Sequence, residues 1–228
     1  MKAMILAAGR GERMRPLTDH TPKPLLEVKG KALILWHIEK LARNGFTDIV
    51  INIAHLGEQI IDKLGDGSEW GVHIIYSDER VSGALESAGG IKKALPLLGP
   101  HPFLVVNADI FCEYEFDASF TLEKSEAHLI LVPNPAHNPQ GDFGIEGDIL
   151  VNSSDLMYTF SGIAYYSPHF FDTIELQKSA LAPYLRQSIS KKALSGALFK
   201  KVWHDIGTPK RLKEINYEKT TPLHTSTP

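Results

Sequence analysis

The chain has 228 residues, 43% of them hydrophobic and 22% charged, with a formal net charge of −3 at pH 7. That length holds one large domain with a buried core, and that composition excludes the disordered and fibrous classes. The slightly negative balance argues against a general nucleic-acid or membrane-surface binder, which needs a basic excess.

Ala3–Ala8 is a continuous apolar run ending at Gly9, which predicts a first strand over Lys2–Ala8 buried on both faces. Leu33–Arg43 has helical spacing, with Leu33, Trp36, His37 and Leu41 on one face, and Asn44-Gly45 ends it. Asp48–Ala54 is a second apolar strand, so the order is a βαβ unit. The pattern continues with a helix over Glu58–Leu64, a strand over Val72–Tyr76, a helix over Ala88–Leu98 and a buried strand over Phe103–Asn107. A helix around Asp117–Ser125 and a strand over Leu129–Pro133 complete the run. Strands alternating with helices at this spacing predict a mostly parallel sheet covered on both faces.

After Pro133 the texture changes. Asn134–Asp142 reads as a loop, and Phe143–Val151 reads as a hairpin turning at Glu146-Gly147-Asp148. A strand over Met157–Tyr166, a helix over Leu181–Ala193 and a strand over Ala197–Trp203 come next. The last of these delivers His204-Asp205. Thr208-Pro209 fits an N-cap with proline at the first helical position, opening a helix to about Lys219. Residues 220–228 form a polar tail, expected to be disordered. The expected organisation is one domain over 1–219: a first part over about 1–133 and a smaller β-rich lobe over about 134–200.

Cys112 is the single cysteine. It excludes an intramolecular disulfide framework and multi-cysteine metal sites, and it points to a reducing compartment. The N-terminal apolar run is too short for a secretory signal, and no stretch approaches the ~20 apolar residues of a membrane span. The protein is therefore expected in the cytoplasm, without nucleic-acid or membrane partners.

Glycines and cations after a buried strand suggest phosphate. In "ILAAGRGERMRPLT" (Ile5–Thr18), Gly9 and Gly11 fit the start of a dinucleotide fingerprint, but Met14 stands where its third glycine belongs. No Gly-Lys-Ser/Thr close supplies a P-loop either. Two glycines alone also fit a plain strand-to-helix turn. The cations downstream of them are more informative. Arg13 offers a fork of donors to phosphate oxygens, with Arg10 and Arg15 beside it. Lys23 is a compact charge between Pro22 and Pro24, which stiffen its backbone.

Two carboxylates complete the pattern. Asp109 comes after the strand Phe103–Asn107, and Asp205 after the strand ending at Trp203. Ligands of open parallel sheets gather beyond the carboxyl ends of strands, which places both aspartates on the rim of the glycine loop. Chemistry between two phosphates needs cations, and magnesium held by one or two carboxylates is the common solution.

The string "LAAGRGERMRPLT" followed by "TPKP" resembles the signature of the sugar-1-phosphate nucleotidyltransferases, Gly-x-Gly-x-Arg-x-x-Pro-Leu-Thr with Pro-Lys-Pro shortly after. Glu12 departs from it, since many members carry Ser or Thr there. "VNAD" (Val106–Asp109) resembles the family's strand-end aspartate, with Ala108 in place of a glycine. "WHDIGTP" (Trp203–Pro209) resembles its Asp-x-Gly-Thr-Pro motif. The resemblance implies an α/β fold of the GT-A-like type: a Rossmann-like, mostly parallel sheet flanked by helices, with a small sugar-binding lobe. It implies Arg13, Lys23, Asp109 and Asp205 as catalytic residues. Arg13 would hold the leaving pyrophosphate, Lys23 the attacked α-phosphate, and Asp109 and Asp205 a Mg²⁺ ion. Nucleotide contacts are expected from Ala8, Gly9, Gly11, Glu12, Glu86, Gly89, Gly90 and Asn107, with Asn107 on the ribose.

"LESAGGI" (Leu85–Ile91) lies where the family reads the base. The Glu86 carboxylate only accepts hydrogen bonds, which favours uracil, thymine or guanine over adenine and cytosine. An acid at a helix N-terminus that favours the dipole is the other reading. The stretches "HLGEQI", "ESAGGI", "GDFG" and "FSGIA" are most similar to the short uridylyl-transferring branch acting on N-acetylmuramic acid 1-phosphate. UTP and a sugar 1-phosphate are thus the expected partners. Guanylyl transfer to mannose 1-phosphate and thymidylyl or uridylyl transfer to glucose 1-phosphate stay open, as does a non-catalytic nucleotide-sugar sensor. Asp142, Gly144, Ser161 and Gly162 are the candidates for the sugar.

Overall fold

A computed structural model describes residues 1–217. Its first strand, β1 (Lys2–Leu6), lies inside the sheet, paired on both sides. Ala3 and Ile5 bury into one apolar cluster and Met4 into another. Neither side of its pleat meets water, which is why the run is continuously apolar. A short hairpin of β2 (Glu27–Val28) and β3 (Lys31–Ala32) leads into α1 (Leu33–Arg43). Then come β4 (Asp48–Ile53), α2 (Gly57–Leu64), β5 (His73–Asp78), α3 (Glu86–Leu98) and β6 (Phe103–Asn107). The strands run parallel in the order β5-β4-β1-β6. Helix α1 gives Ile34, Ile38 and Leu41, and α2 gives Ile60 and Leu64, to the Ile5 face. Helix α3 gives Ala88, Ile91, Ala94 and Leu98 to the Met4 face. The α/β architecture with both faces covered is as expected.

The second half adds β7 (Ile110–Cys112), β8 (Ala127–Val132), β9 (Phe143–Glu146), β10 (Ile149–Val151), β11 (Met157–Tyr166), α4 (Ala182–Ser190), β12 (Leu194–Leu198), β13 (Trp203–Asp205) and α5 (Pro209–Tyr217). The sheet continues β6-β11-β8-β12-β10-β9, with β11 antiparallel to both β6 and β8. It is therefore parallel over its first strands and mixed beyond β6. In β11 the register shifts between Phe160 and Ile163, and Gly162 takes φ +80 in that bulge. The hairpin at Gly147 forms as its sequence predicts, pairing Glu146 with Ile149.

Two expected elements differ. Asp117–Ser125 is turns, not a helix, because Asp117 Oδ1 accepts the Ser119 N–H at 2.8 Å and offers the backbone a local alternative. The strand expected over Ala197–Trp203 is two strands. Leu194–Leu198 joins the main sheet beside β8, the exposed Lys200 and Lys201 carry the chain outward, and Trp203–Asp205 pairs with β7. The helix expected over Leu181–Ala193 spans Ala182–Ser190. Helix α5 is seen to Tyr217, and the expectations for Lys219 and for residues 220–228 lie outside the described residues.

A third, smaller cluster joins Met14, Val28 and Leu33 to Ile206, Leu212 and Ile215. It fastens α5 and the segment after β13 to the glycine loop. Met14, the residue that spoils the dinucleotide fingerprint, is fully buried in it. Burial of such a side chain contributes about 1.5–3 kcal/mol. Among the described residues, no helix is long and apolar enough to cross a membrane.

Candidate active site

The glycine loop leaves the carboxyl end of β1 and folds back on itself. Gly11 takes φ +65, and a Cβ there would come within 2.9 Å of Thr18 Cγ2 and 3.3 Å of Lys23 Cβ. The buried Thr18 donates its hydroxyl proton to Gly11 O at 2.8 Å, which closes the loop. Among the described residues nothing lies within 4 Å of a Cβ placed on Gly9, which leaves space over that peptide. The loop walls a cavity of about 550 Å³. Ala8, Gly9, Gly11, Glu12, Arg13 and Lys23 all line it, together with Arg10, Glu86, Asn107 and Asp109. Arg15 does not. It points away, 3.2 Å from Asp19.

Lys23, held at the start of a 3-10 turn over Lys23–Leu25, reaches across to Asp109 Oδ2 at 2.5 Å. The lysine is mostly buried and the aspartate about one-third exposed. The two residues stand 86 positions apart in the chain. A lysine and a carboxylate at one cavity edge supply a charge that can meet a phosphate and an oxygen that can meet a cation.

Asp205 reaches the same neighbourhood through the β7–β13 pair. Asp205 is in register with Ile110, and Ile206 N donates to Asp109 O at 2.8 Å. The backbones of the two aspartates are therefore adjacent, but their side chains do not line the same cavity. Asp205 faces a second space, about 470 Å³, with His137, His204, Lys210 and Arg211. Its Oδ2 accepts from Arg211 at 2.7 Å and lies 3.3 Å from His137 Nε2. Its Oδ1 is buried with no hydrogen-bond partner among the described residues. That oxygen stands 2.9 Å from the Cβ position of Gly207, which borders the first cavity. An unpaired buried carboxylate oxygen costs free energy unless a cation or donor meets it. Two aspartates plus substrate oxygens are the donor set magnesium takes. Among the described residues no group of three or more acidic, histidine or cysteine side chains stands ready for a metal. Arg211 was not evident from sequence; it lies one turn into a helix whose Thr208 caps its N–H at 3.3 Å.

Glu86 lines the first cavity as the first residue of α3, with φ +60 and Lys178 at 3.7 Å. Gly89 and Gly90 do not line it. A Cβ on Gly89 would sit 2.2 Å from Gln177 O, and one on Gly90 would sit 2.9 Å from Asn52 Nδ2 and Glu79 Oε1. Their smallness serves these close approaches. Neither Asn52 nor Glu79 stands out in the sequence. Asn52 Oδ1 accepts the Ala7 N–H at 2.8 Å, its Nδ2 donates to Glu79 Oε1 at 2.8 Å, and Glu79 Oε2 accepts the Leu85 N–H at 2.7 Å. An asparagine in an apolar strand was the only signal, and it is a weak one.

A third space, about 320 Å³, shares Leu6, Ser87 and Asn107 with the first and holds Asp142 and Gly162. Gly162 gives way to Asn107, whose Nδ2 stands 2.6 Å from the Cβ position. Ser161 and Gly144 line none of these spaces. Ser161 is buried and donates to Ile130 O at 2.6 Å, and Gly144 packs against Ser154 and Val151. Both are explained by the bulge and the hairpin.

A family model of nucleotidyl transferases matches residues 2–147. An N-acetylmuramate alpha-1-phosphate uridylyltransferase of Neisseria meningitidis is 55% identical over 223 residues, covering 94% of this chain and 96% of that protein. A mannose-1-phosphate guanyltransferase of Saccharomyces cerevisiae is 31% identical over 92% of this chain, which spans 62% of that protein's length. A solved structure from Bacillus anthracis, described as a glucose-1-phosphate thymidylyltransferase in complex with a sucrose, aligns with a TM-score of 0.81 at 24% identity. It covers 95% of this chain and 94% of that one, and the likeness is one of fold.

Proposed function

The chain belongs to the nucleotidyl transferase family, and we propose that it transfers UMP from UTP to N-acetylmuramic acid 1-phosphate, giving the UDP-sugar and pyrophosphate. The observation that carries this reading is the 55% identity to the Neisseria enzyme over nearly the full length of both chains. The site's chemistry supports it.

The triphosphate lies over Gly9 and Gly11, where backbone N–H groups approach without a Cβ in the way. Arg13, with Arg10 beside it, takes the oxygens of the leaving pyrophosphate. Lys23 leaves Asp109 for the α-phosphate and offsets charge as the transition state forms. An oxygen of the sugar phosphate attacks the α-phosphorus in line. The new P–O bond forms as the bond to the bridging oxygen of the β-phosphate breaks. The attacking phosphate is already ionised at pH 7, so no protein nucleophile or base is required. Asp109 and Asp205 would hold a Mg²⁺ ion, whose charge offsets repulsion between the two substrates' phosphates. Asn107 meets the ribose and Glu86 accepts the base N3–H. The sugar fills the space beside Asp142 and Gly162. The described residues act as one domain, with nucleotide contacts from about 1–133 and sugar contacts from about 134–200. A cytoplasmic setting suits a reaction that consumes UTP.

Pyrophosphate release tests the reading, measured with UTP, GTP and dTTP against a panel of sugar 1-phosphates. Release with UTP and N-acetylmuramic acid 1-phosphate is expected. Release only with GTP sinks the uridylyl assignment and favours guanylyl transfer to mannose 1-phosphate, which the Glu86 carboxylate also permits through guanine N1–H.

A further inference from the structure

The space of about 320 Å³ opens onto the phosphate cavity through Leu6, Ser87 and Asn107. Its other walls are largely apolar, with Phe143, Phe160, Leu181 and Leu185 among them. A plain hexose carries a hydroxyl on nearly every ring carbon and gains little from such walls. N-acetylmuramic acid carries an acetamide methyl and, on O3, a lactyl ether with its own methyl and a carboxylate. The methyls suit the walls. The carboxylate needs a cation.

Arg186 is the one cation among the described residues lining that space. Its guanidinium carbon lies 5.1 Å from the centroid of the Phe143 ring. Cation–π attraction to an aromatic face steadies the group while leaving N–H donors for a carboxylate. No ion pair among the described residues engages it. It projects from α4, whose Leu185 and Ile189 are buried in the core, so its base is rigid. Asp142, the acid in the same space, is turned to the backbone, with Oδ2 accepting the Phe160 N–H at 2.8 Å. Tyr166 also lines the space, and its buried hydroxyl has no partner among the described residues. It offers a further donor to an oxygen-rich ligand.

We propose that Arg186 binds the lactyl carboxylate of the acceptor and makes the site select a muramic acid 1-phosphate over N-acetylglucosamine 1-phosphate. This rests on the proposed reaction and adds the residue that sets its sugar specificity.

The test measures kcat/KM with UTP for three acceptors: N-acetylmuramic acid 1-phosphate, its lactyl carboxamide, and N-acetylglucosamine 1-phosphate. The wild-type protein is compared with Arg186→Met and Arg186→Lys. Wild type is expected to favour the carboxylate over the carboxamide by roughly ten- to hundredfold, the range of a hydrogen bond between charged groups. Arg186→Met is expected to collapse that ratio to within about threefold, through KM rather than kcat, with Arg186→Lys recovering part of it. A wild-type protein indifferent to the carboxamide overturns the assignment while leaving the reaction standing. So does an Arg186→Met variant that keeps the ratio or loses activity on all three acceptors alike. A wild-type protein that turns over no muramic substrate, yet releases pyrophosphate with another sugar phosphate, defeats the reading of the reaction and the inference with it.

Discussion

Asn52 Nδ2 donates to Glu79 Oε1 at 2.8 Å, and both residues are shut away from solvent. Asn52 sits in β4 and Glu79 just past the end of β5, 27 residues later. Through Ala7 N on one side and Leu85 N on the other, this pair ties the glycine loop to the segment that carries Glu86. A carboxylate with no exposed surface is tolerable only when its oxygens are matched by donors, and here each has one.

Replacing Glu79 with Ala strips the Leu85 N–H and Asn52 Nδ2 of their acceptors. The expected loss is about 2–5 kcal/mol of stability, with KM for UTP raised more than KM for the sugar phosphate. Denaturant unfolding and the two KM values check this. A variant with wild-type values for all three would show that the pair does not hold the segment that carries Glu86.

Lys23→Ala is expected to lower kcat by ~10²–10³ while the protein stays folded, the scale of losing one preorganised charge at the transition state. Asp205→Asn is expected to raise the Mg²⁺ concentration needed for half-maximal rate. Arg211→Met should shift the same midpoint, because Arg211 holds Asp205 Oδ2 and leaves Oδ1 unpartnered among the described residues. Mg²⁺ titrations of turnover decide both, and midpoints that do not move would remove Asp205 from the metal.

Gly162 and Gly9 invite opposite outcomes. A methyl on Gly162 meets Asn107 Nδ2 at 2.6 Å, on a backbone at φ +80, so Gly162→Ala should cost about 1–3 kcal/mol and displace Asn107. A Cβ on Gly9 meets none of the described residues within 4 Å, so Gly9→Ala should leave stability within about 0.5 kcal/mol of wild type. It should nonetheless raise KM for UTP, since that space is the proposed seat of the triphosphate. Melting curves paired with KM for UTP separate the two effects.

His37 is buried in α1, and desolvation, with Lys40 adding to it, holds its pKa down to about 4. Contacts with Ile110 O and the charge of Asp109 oppose the shift without cancelling it. The unfolded chain therefore takes up this proton first as pH falls. Stability is fully present above about pH 6.5 and declines as pH drops toward 4, by on the order of 3 kcal/mol at the limit. His37→Gln should flatten the slope of unfolding free energy against pH in that window, and an unchanged slope would assign it to other groups.

The local rhythm of the chain determined most of the architecture. Apolar runs buried on both faces announced β1, β4 and β6, and glycines at positive φ marked the ends of elements, as at Gly45 and Gly147. The glycine loop, Lys23, and Asp109 and Asp205 at strand ends were legible because each motif is written in consecutive residues. The contacts that bring them together join residues far apart in the chain. The β7–β13 pair aligns residues about ninety positions apart, and three-residue strands carry too little periodicity to be seen before they pair. Arg211 against Asp205, Glu79 under the segment that carries Glu86 and Arg186 beside the space of Asp142 and Gly162 likewise depend on side chains meeting across packed elements. The sequence alone determined which chemical groups the protein carries and on which strand ends. Only the tertiary structure decided which of them face one another, because burial and packing between distant segments, not local propensity, set those distances.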